Sequence, residues 1–162
     1  SDYVKDGECN WHVRPNQVFA VSLPYIMLSK EICKSVLDIV ENELLTSRGL
    51  RTLSPNSSKY QGVYEGNQAN RDNAYHQGTA WPWLLGAFCE AYLRIHKESG
   101  LQKIKDLYYG FEPELSNAGI GTISEIYDGI PPHEAKGAIS QASSVAELLR
   151  IKSIIDKFEK KK

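Results

Sequence analysis

The 162 residues, 41% hydrophobic and 24% charged with a formal net charge of −1, have the composition of one ordinary globular domain. Basic residues cluster only at the final Lys160 to Lys162, and no apolar run approaches the ~20 residues that cross a bilayer, so nucleic acid and membrane are both disfavoured as partners. Cys9, Cys33 and Cys89 are odd in number and form no CxxC, and the leading SDYVKDGECNW has no apolar signal core, which together point to a reducing, cytoplasmic setting.

In chain order, Asn16 to Leu28 is expected to be a helix, bent or interrupted at Pro24. Lys30 to Leu45 carries a helical stripe of Ile32, Val36, Ile39, Val40 and Leu44, with Ser29 as N-cap and Glu31 in the first turn. Trp81 to His96 repeats the pattern through Leu84, Leu85, Phe88, Tyr92 and Ile95, with Pro82 near its start and Gly100 past its end. Leu101 to Tyr109 is a shorter helix broken by Gly110 and Pro113. Ser143 to about Lys157 presents Val145, Leu148, Leu149, Ile151, Ile154, Ile155 and Phe158; Ser144 with Glu147 fits a capping box, and a start nearer Ser140 is also compatible.

Two long segments separate these helices, Ser47 to Gln77 and Gly110 to Ile139. Both are rich in Gly and Pro, and segments of this length without regular structure are usually functional or disordered. They mix Tyr60, Tyr64, Tyr75, Trp81 and Tyr127 with Arg, Asn, Gln and Asp. Rings for apolar sugar faces beside fixed polar partners for hydroxyls suit a saccharide cleft.

Within Gly119 to Gly129, Glu125 and Asp128 lie three residues apart, and extended backbone would point them to opposite faces. Spacing alone leaves two readings open: a cleft carboxylate with a loop-fixing partner, or a surface turn with two solvated acids. The run Arg71-Asp72-Asn73-Ala74-Tyr75-His76-Gln77-Gly78-Thr79-Ala80-Trp81 leads dense polar groups into a helix start, where free N–H groups can bind hydroxyls; a plain capping loop fits equally. Arg14-Pro15-Asn16-Gln17 is similar. His12, His76, His96 and His133 have no metal-ligand spacing, and no GxSxG, P-loop or GxGxxG occurs, so neither metal nor cofactor is expected.

The strings RPNQVFAVSLPY, LLTSRGLRTLSP, YQGVYEG, RDNAYHQGTAWPWLLGAF, GTISEIYDGIPPHEAKG and SQASSVAELLR occur in this order. Together they resemble the C-terminal amylo-α-1,6-glucosidase domain of bacterial glycogen debranching enzymes, over roughly residues 12 to 150; YHQGTAWPW and SEIYDG are the specific blocks. The resemblance implies an all-α fold, the C-terminal part of an (α/α)6 toroid of the six-hairpin glycosidase type. It implies inverting hydrolysis of α-1,6-glucosidic bonds in glycogen or limit dextrin, in which an acid protonates the leaving oxygen and a carboxylate activates water. Glu125 takes the base position. Arg14, Asn16, Gln17, Arg71, Asp72, Tyr75, His76, Gln77 and Trp81 fall in blocks that line the family's cleft and are assigned to substrate binding.

Two departures bear on this reading. The family's Gln-Ala-Trp-Ser is replaced here by Gln141-Ala142-Ser143-Ser144, and the family's general acid lies upstream of the RPNQ block, with no counterpart in this chain. Twelve helices of ~15 residues with connections need roughly 300 to 400 residues. Residues 1–162 are therefore expected to form a single, partial catalytic domain, inactive when isolated. Its partners would be an α-glucan, the N-terminal half of the domain and, through an open apolar face, a second copy. The alternatives are a non-catalytic saccharide-binding or assembly fragment and a toroid glycosidase for another α-glucoside.

Overall fold

The structure is a computed structural model that describes residues 2–3 and 9–160; Lys161, Lys162 and most of the leading SDYVKDGE, on which the tail and signal expectations fall, lie outside the described residues. Its helices are α1 (Phe19–Ser22), α2 (Lys30–Ile39), α3 (Gln68–Tyr75), α4 (Leu85–His96), α5 (Leu101–Tyr109) and α6 (Ala142–Glu159). The fold is all-α in class, as the helical periodicity and the family resemblance led one to expect.

Helix α4 is the centre. Leu85, Gly86, Ala87, Phe88, Cys89, Ala91, Tyr92 and Leu93 are all buried along it, so it is apolar nearly all round, and α1, α2 and α6 pack against it. Leu37 from α2, Val18 and Val21 from the first helical stretch, and Ile151 and Ile155 from α6 complete this core. Burial pushes the Cys89 thiol well above the usual range, which makes it an unreactive packing group. On the α6 side, Gly86 leaves room for the Glu147 carboxylate, which pairs with Arg150, itself paired with Glu90 of α4.

The stripe-based helices form with shifted ends. Ser29 caps α2 by accepting from the Ile32 amide at 3.4 Å. That helix then widens into a π-turn over Val40–Leu44. Pro24 does not bend a continuing helix. The chain runs through a 3-10 turn (Pro15–Val18) into α1 and stops, because Leu23 before the proline takes extended backbone (φ −64°, ψ 156°). Arg94 on α4 caps this early stop, donating to the carbonyls of Val21 (3.2 Å), Ser22 (2.9 Å) and Leu23 (2.8 Å). At α6 the capping box does not form: Gln141 is the N-cap residue and Ser144 is fully buried inside the first turn.

A five-stranded antiparallel sheet, absent from the periodicity, organises the long segments. Its strands are β3 (Leu45–Thr46), β4 (Gly49–Arg51), β5 (Ala80–Trp81), β6 (Ile126–Tyr127) and β7 (Ala135–Lys136), paired in that order; β1 (Asp2–Tyr3) and β2 (Cys9–Asn10) form a separate pair. Registers are Leu50 opposite Trp81, Ala80 opposite Tyr127 and Tyr127 opposite Ala135. Gly49 (φ +151°) is required where β4 meets β5, since a Cβ there would fall 2.4 Å from the Trp81 carbonyl carbon. Arg51 ties the rows together, donating to Gly129 O at 2.7 Å and to Glu43 O at 3.3 Å.

The second long segment is anchored by Arg48. It pairs with the largely buried Glu114 at 3.0 Å, donates to Gly110 O at 2.8 Å, and lies over the Phe111 ring. Large apolar side chains stay on the outside, among them Tyr25, Met27 and Ile120.

Two outcomes follow for stability. Phe88→Ala should lower unfolding free energy by about 3–5 kcal/mol, read as a drop in urea midpoint at constant m-value. Arg48→Met strands the Glu114 carboxylate and should cost about 3 kcal/mol or more, whereas Arg48→Met with Glu114→Gln should recover much of it, so the four proteins compared by denaturation give a positive coupling energy.

Candidate active site

The sheet decides what reaches Glu125. The β5–β6 rung brings the segment that follows α3 beside the one that carries Glu125. Glu125 sits one residue before β6, its amide bonded to Ala138 O at 2.9 Å, so its side chain projects at the sheet end.

Its carboxylate is held by three donors. The Tyr75 hydroxyl donates to Oε1 at 2.6 Å, and Gln141 Nε2 donates to Oε1 at 3.3 Å. The Ala138 amide donates to Oε2 at 3.1 Å. Gly137 lies beneath with φ +69°, and a Cβ there would fall 2.5 Å from Oε2. The Tyr75 phenol is pushed up to about 12, by desolvation first and then by its bond to Glu125, so it is a hydroxyl donor across the neutral range.

Asp128 plays a different part. It is buried, accepts the Tyr64 amide at 2.8 Å and lies 3.5 Å from Lys136 Nζ. The picture of two solvated acids on a surface turn is thus overturned: one acid reaches a polar cluster and the other fixes the loop holding Tyr64.

Aromatic rings surround the Tyr75 end. Trp81 stacks on His76 at 5.3 Å with 15° between planes, and Tyr75 meets Trp81 edge-on at 4.8 Å and Tyr64 at 6.0 Å. Trp81 Nε1 donates to Tyr75 O and to Thr79 Oγ1, both at 3.1 Å, which fixes the ring. His76 is exposed and Trp81 half-buried, so this surface is open to a ligand.

The other predicted residues divide. Arg14 spends its guanidinium on Thr52 O (3.1 Å), His76 O (2.9 Å) and Gln77 Oε1 (2.9 Å). Gln17 donates to Arg14 O at 2.9 Å. Arg14, Gln17 and Gln77 therefore form a brace that holds the loop after α3. Arg71 bonds to Gly66 O and Gln68 Oε1, and Asp72 accepts from Gln68, all on the α3 surface and without a bond to the Glu125 cluster. Asn16 is exposed. Reasoning from sequence left Gln141 and Tyr64 out of the site; Gln141 stood in the recognised SQASS block and Tyr64 among the loop aromatics, and only the fold shows that both adjoin Glu125 or Tyr75. Ser143, where the family has tryptophan, is exposed in the first turn of α6.

Among the described residues no group of three or more His, Cys, Asp or Glu is placed to hold a metal, and no helix is long and apolar enough to cross a membrane.

The arrangement, a carboxylate with its oxygens fixed beside a ring surface, suits activation of a water next to a bound sugar. The family model described as amylo-alpha-1,6-glucosidase matches residues 1–150, a wider span than the recognised blocks. The chain is also 29% identical over 103 residues to the glycogen debranching enzyme of Saccharomyces cerevisiae (strain ATCC 204508 / S288c). That stretch is 59% of this chain and only 7% of the yeast enzyme. With its residues 1–150 matched, the chain belongs to the amylo-alpha-1,6-glucosidase family.

Proposed function

We propose that the chain is the base-bearing part of a debranching glucosidase domain that hydrolyses α-1,6-glucosidic bonds in glycogen or limit dextrin with inversion. The observation that carries this is the held carboxylate of Glu125 beside the His76–Trp81 ring stack, in a chain of this family. Glu125 would take a proton from water as that water attacks the anomeric carbon. The leaving oxygen would receive its proton from an acid on the opposite face, supplied by sequence upstream of this chain.

His76 and Trp81 would bind the apolar face of the glucosyl unit, with Asn16, Arg71 and Asp72 placed outward for hydroxyls. Arg14, Gln17 and Gln77 would act indirectly, by bracing the loop that carries His76. The exposed Tyr25, Met27 and Ile120 would be covered by the rest of the catalytic domain or by a second copy. Buried free thiols at Cys33 and Cys89 fit a cytoplasmic setting.

A second reading, binding of α-glucan by this chain without turnover, rests on the exposed Ser143 that stands where the family has tryptophan. Glucose release from an α-1,6-branched dextrin by this chain alone separates the two: sustained release excludes binding only, and none is expected.

In the full-length protein Glu125→Gln should lower hydrolysis by roughly 10²–10⁴-fold, since that is the usual contribution of a general base; near-normal turnover would sink the assignment. Proton NMR of the first product should show β-glucose, the inverted anomer; α-glucose appearing first would mean retention.

A further inference from the structure

Resting on the reading of Glu125 as base, we propose that Tyr75 and Gln141 are positioning residues that clamp one oxygen of Glu125 and thereby select the other, Oε2, to accept the proton of water.

A carboxylate has about four acceptor positions, two on each oxygen. Tyr75 and Gln141 both donate to Oε1, at 2.6 and 3.3 Å, and so fill it. Oε2 accepts a single backbone amide, that of Ala138 at 3.1 Å, and its other acceptor position has no protein donor. The asymmetry is built from three separate parts of the chain. Tyr75 is the last residue of α3, Gln141 the N-cap residue of α6, and Ala138 follows β7. Gln141 is itself placed, its amide bonding Ile123 O at 3.0 Å. Tyr75 is placed by its neighbours, since Trp81 Nε1 and Thr79 Oγ1 both bond its carbonyl. A free glutamate side chain samples several rotamers; here the carboxylate is pinned in rotation as well as position.

The proton balance gives the clamp its use. As the water oxygen bonds to the anomeric carbon, the glycosidic C–O bond breaks and its electron pair leaves with the leaving oxygen, which the upstream acid protonates. The proton lost by water goes to Oε2. A carboxylate free to turn would hold neither oxygen steadily toward the water. Gly137 serves the same end, because any Cβ at that position would push Oε2 away.

This assigns Tyr75 a role other than substrate binding and brings in Gln141, and kinetics separate the two roles. In the full-length protein acting on an α-1,6-linked glucosyl dextrin, Tyr75→Phe and Gln141→Leu should each lower kcat roughly 10- to 100-fold with KM nearly unchanged. A Gln141→Asn variant, which keeps an amide but shortens it, should fall in between. On this chain itself, the Tyr75 hydroxyl proton should give a slowly exchanging, downfield NMR resonance that disappears in Glu125→Gln. A rise in KM at constant kcat, or unchanged kcat in both Tyr75→Phe and Gln141→Leu, would overturn the clamp. An unaffected Glu125→Gln enzyme would instead overturn the assignment of the base, so the two failures are distinct. Circular dichroism and urea midpoints of each variant identify any loss that comes from unfolding.

Discussion

Ala80 pairs with Tyr127 across β5 and β6, and the geometry around Glu125 depends on that rung. Residues 80 and 127 are 47 positions apart, and each strand is only two residues long. Such short strands cannot hold a register by themselves; a pair of this size is marginal in water. Packing supplies what the ladder lacks. Tyr127 and Ala80 are fully buried, and Leu50, on the far side of β5, is buried as well. The sheet is thus a seam laid over the α4 core, and the carboxylate cluster sits at its end.

Most of the helices were legible because their apolar residues recur at 3.6-residue spacing over three turns or more: α2, α4 and most of α6 lie where the stripes place them, whereas α3, mostly polar with Ala74 alone buried, went unread inside the first long segment. The sheet was not, because two-residue strands carry no period of two. Pro24 was visible as a break, but its effect through Leu23, an outright stop, followed from backbone sterics that a stripe does not register. Ser144 looked like a cap by spacing with Glu147, yet the helix begins two residues earlier and buries it, while Glu147 turns to Arg150. For the site, residue types and order led to the family and to Glu125 as an acid worth singling out. That Gln141 would bond Glu125, and that Arg14 would be consumed by carbonyls, depends on contacts 16 and 62 residues apart in sequence. Local pattern cannot contain such information.

Arginine recurs in one structural role. Arg14, Arg51 and Arg94 each direct several N–H groups onto main-chain carbonyls of distant segments. Each stands where regular structure ends early: after α3, at the rim of the sheet and at the stop before Pro24. A guanidinium has five donors in a fixed plane and suits a cluster of carbonyls that no helix or ladder has satisfied. Irregular backbone around the cleft is therefore held by side chains, which lets loops of unusual shape remain ordered.

That choice of fastener has a consequence for acid. A peptide carbonyl does not titrate in water, and a guanidinium keeps its charge at every pH the protein can meet. The Arg14, Arg51 and Arg94 joints therefore hold as well in a mildly acidic medium as in a neutral one. Other joints depend on a charged acceptor: Arg48 on Glu114 beside the second long segment, and Arg150 on Glu90 and Glu147 between α4 and α6. The uncharged acceptors thus serve the irregular backbone, while the charged ones join the helical core and its flank.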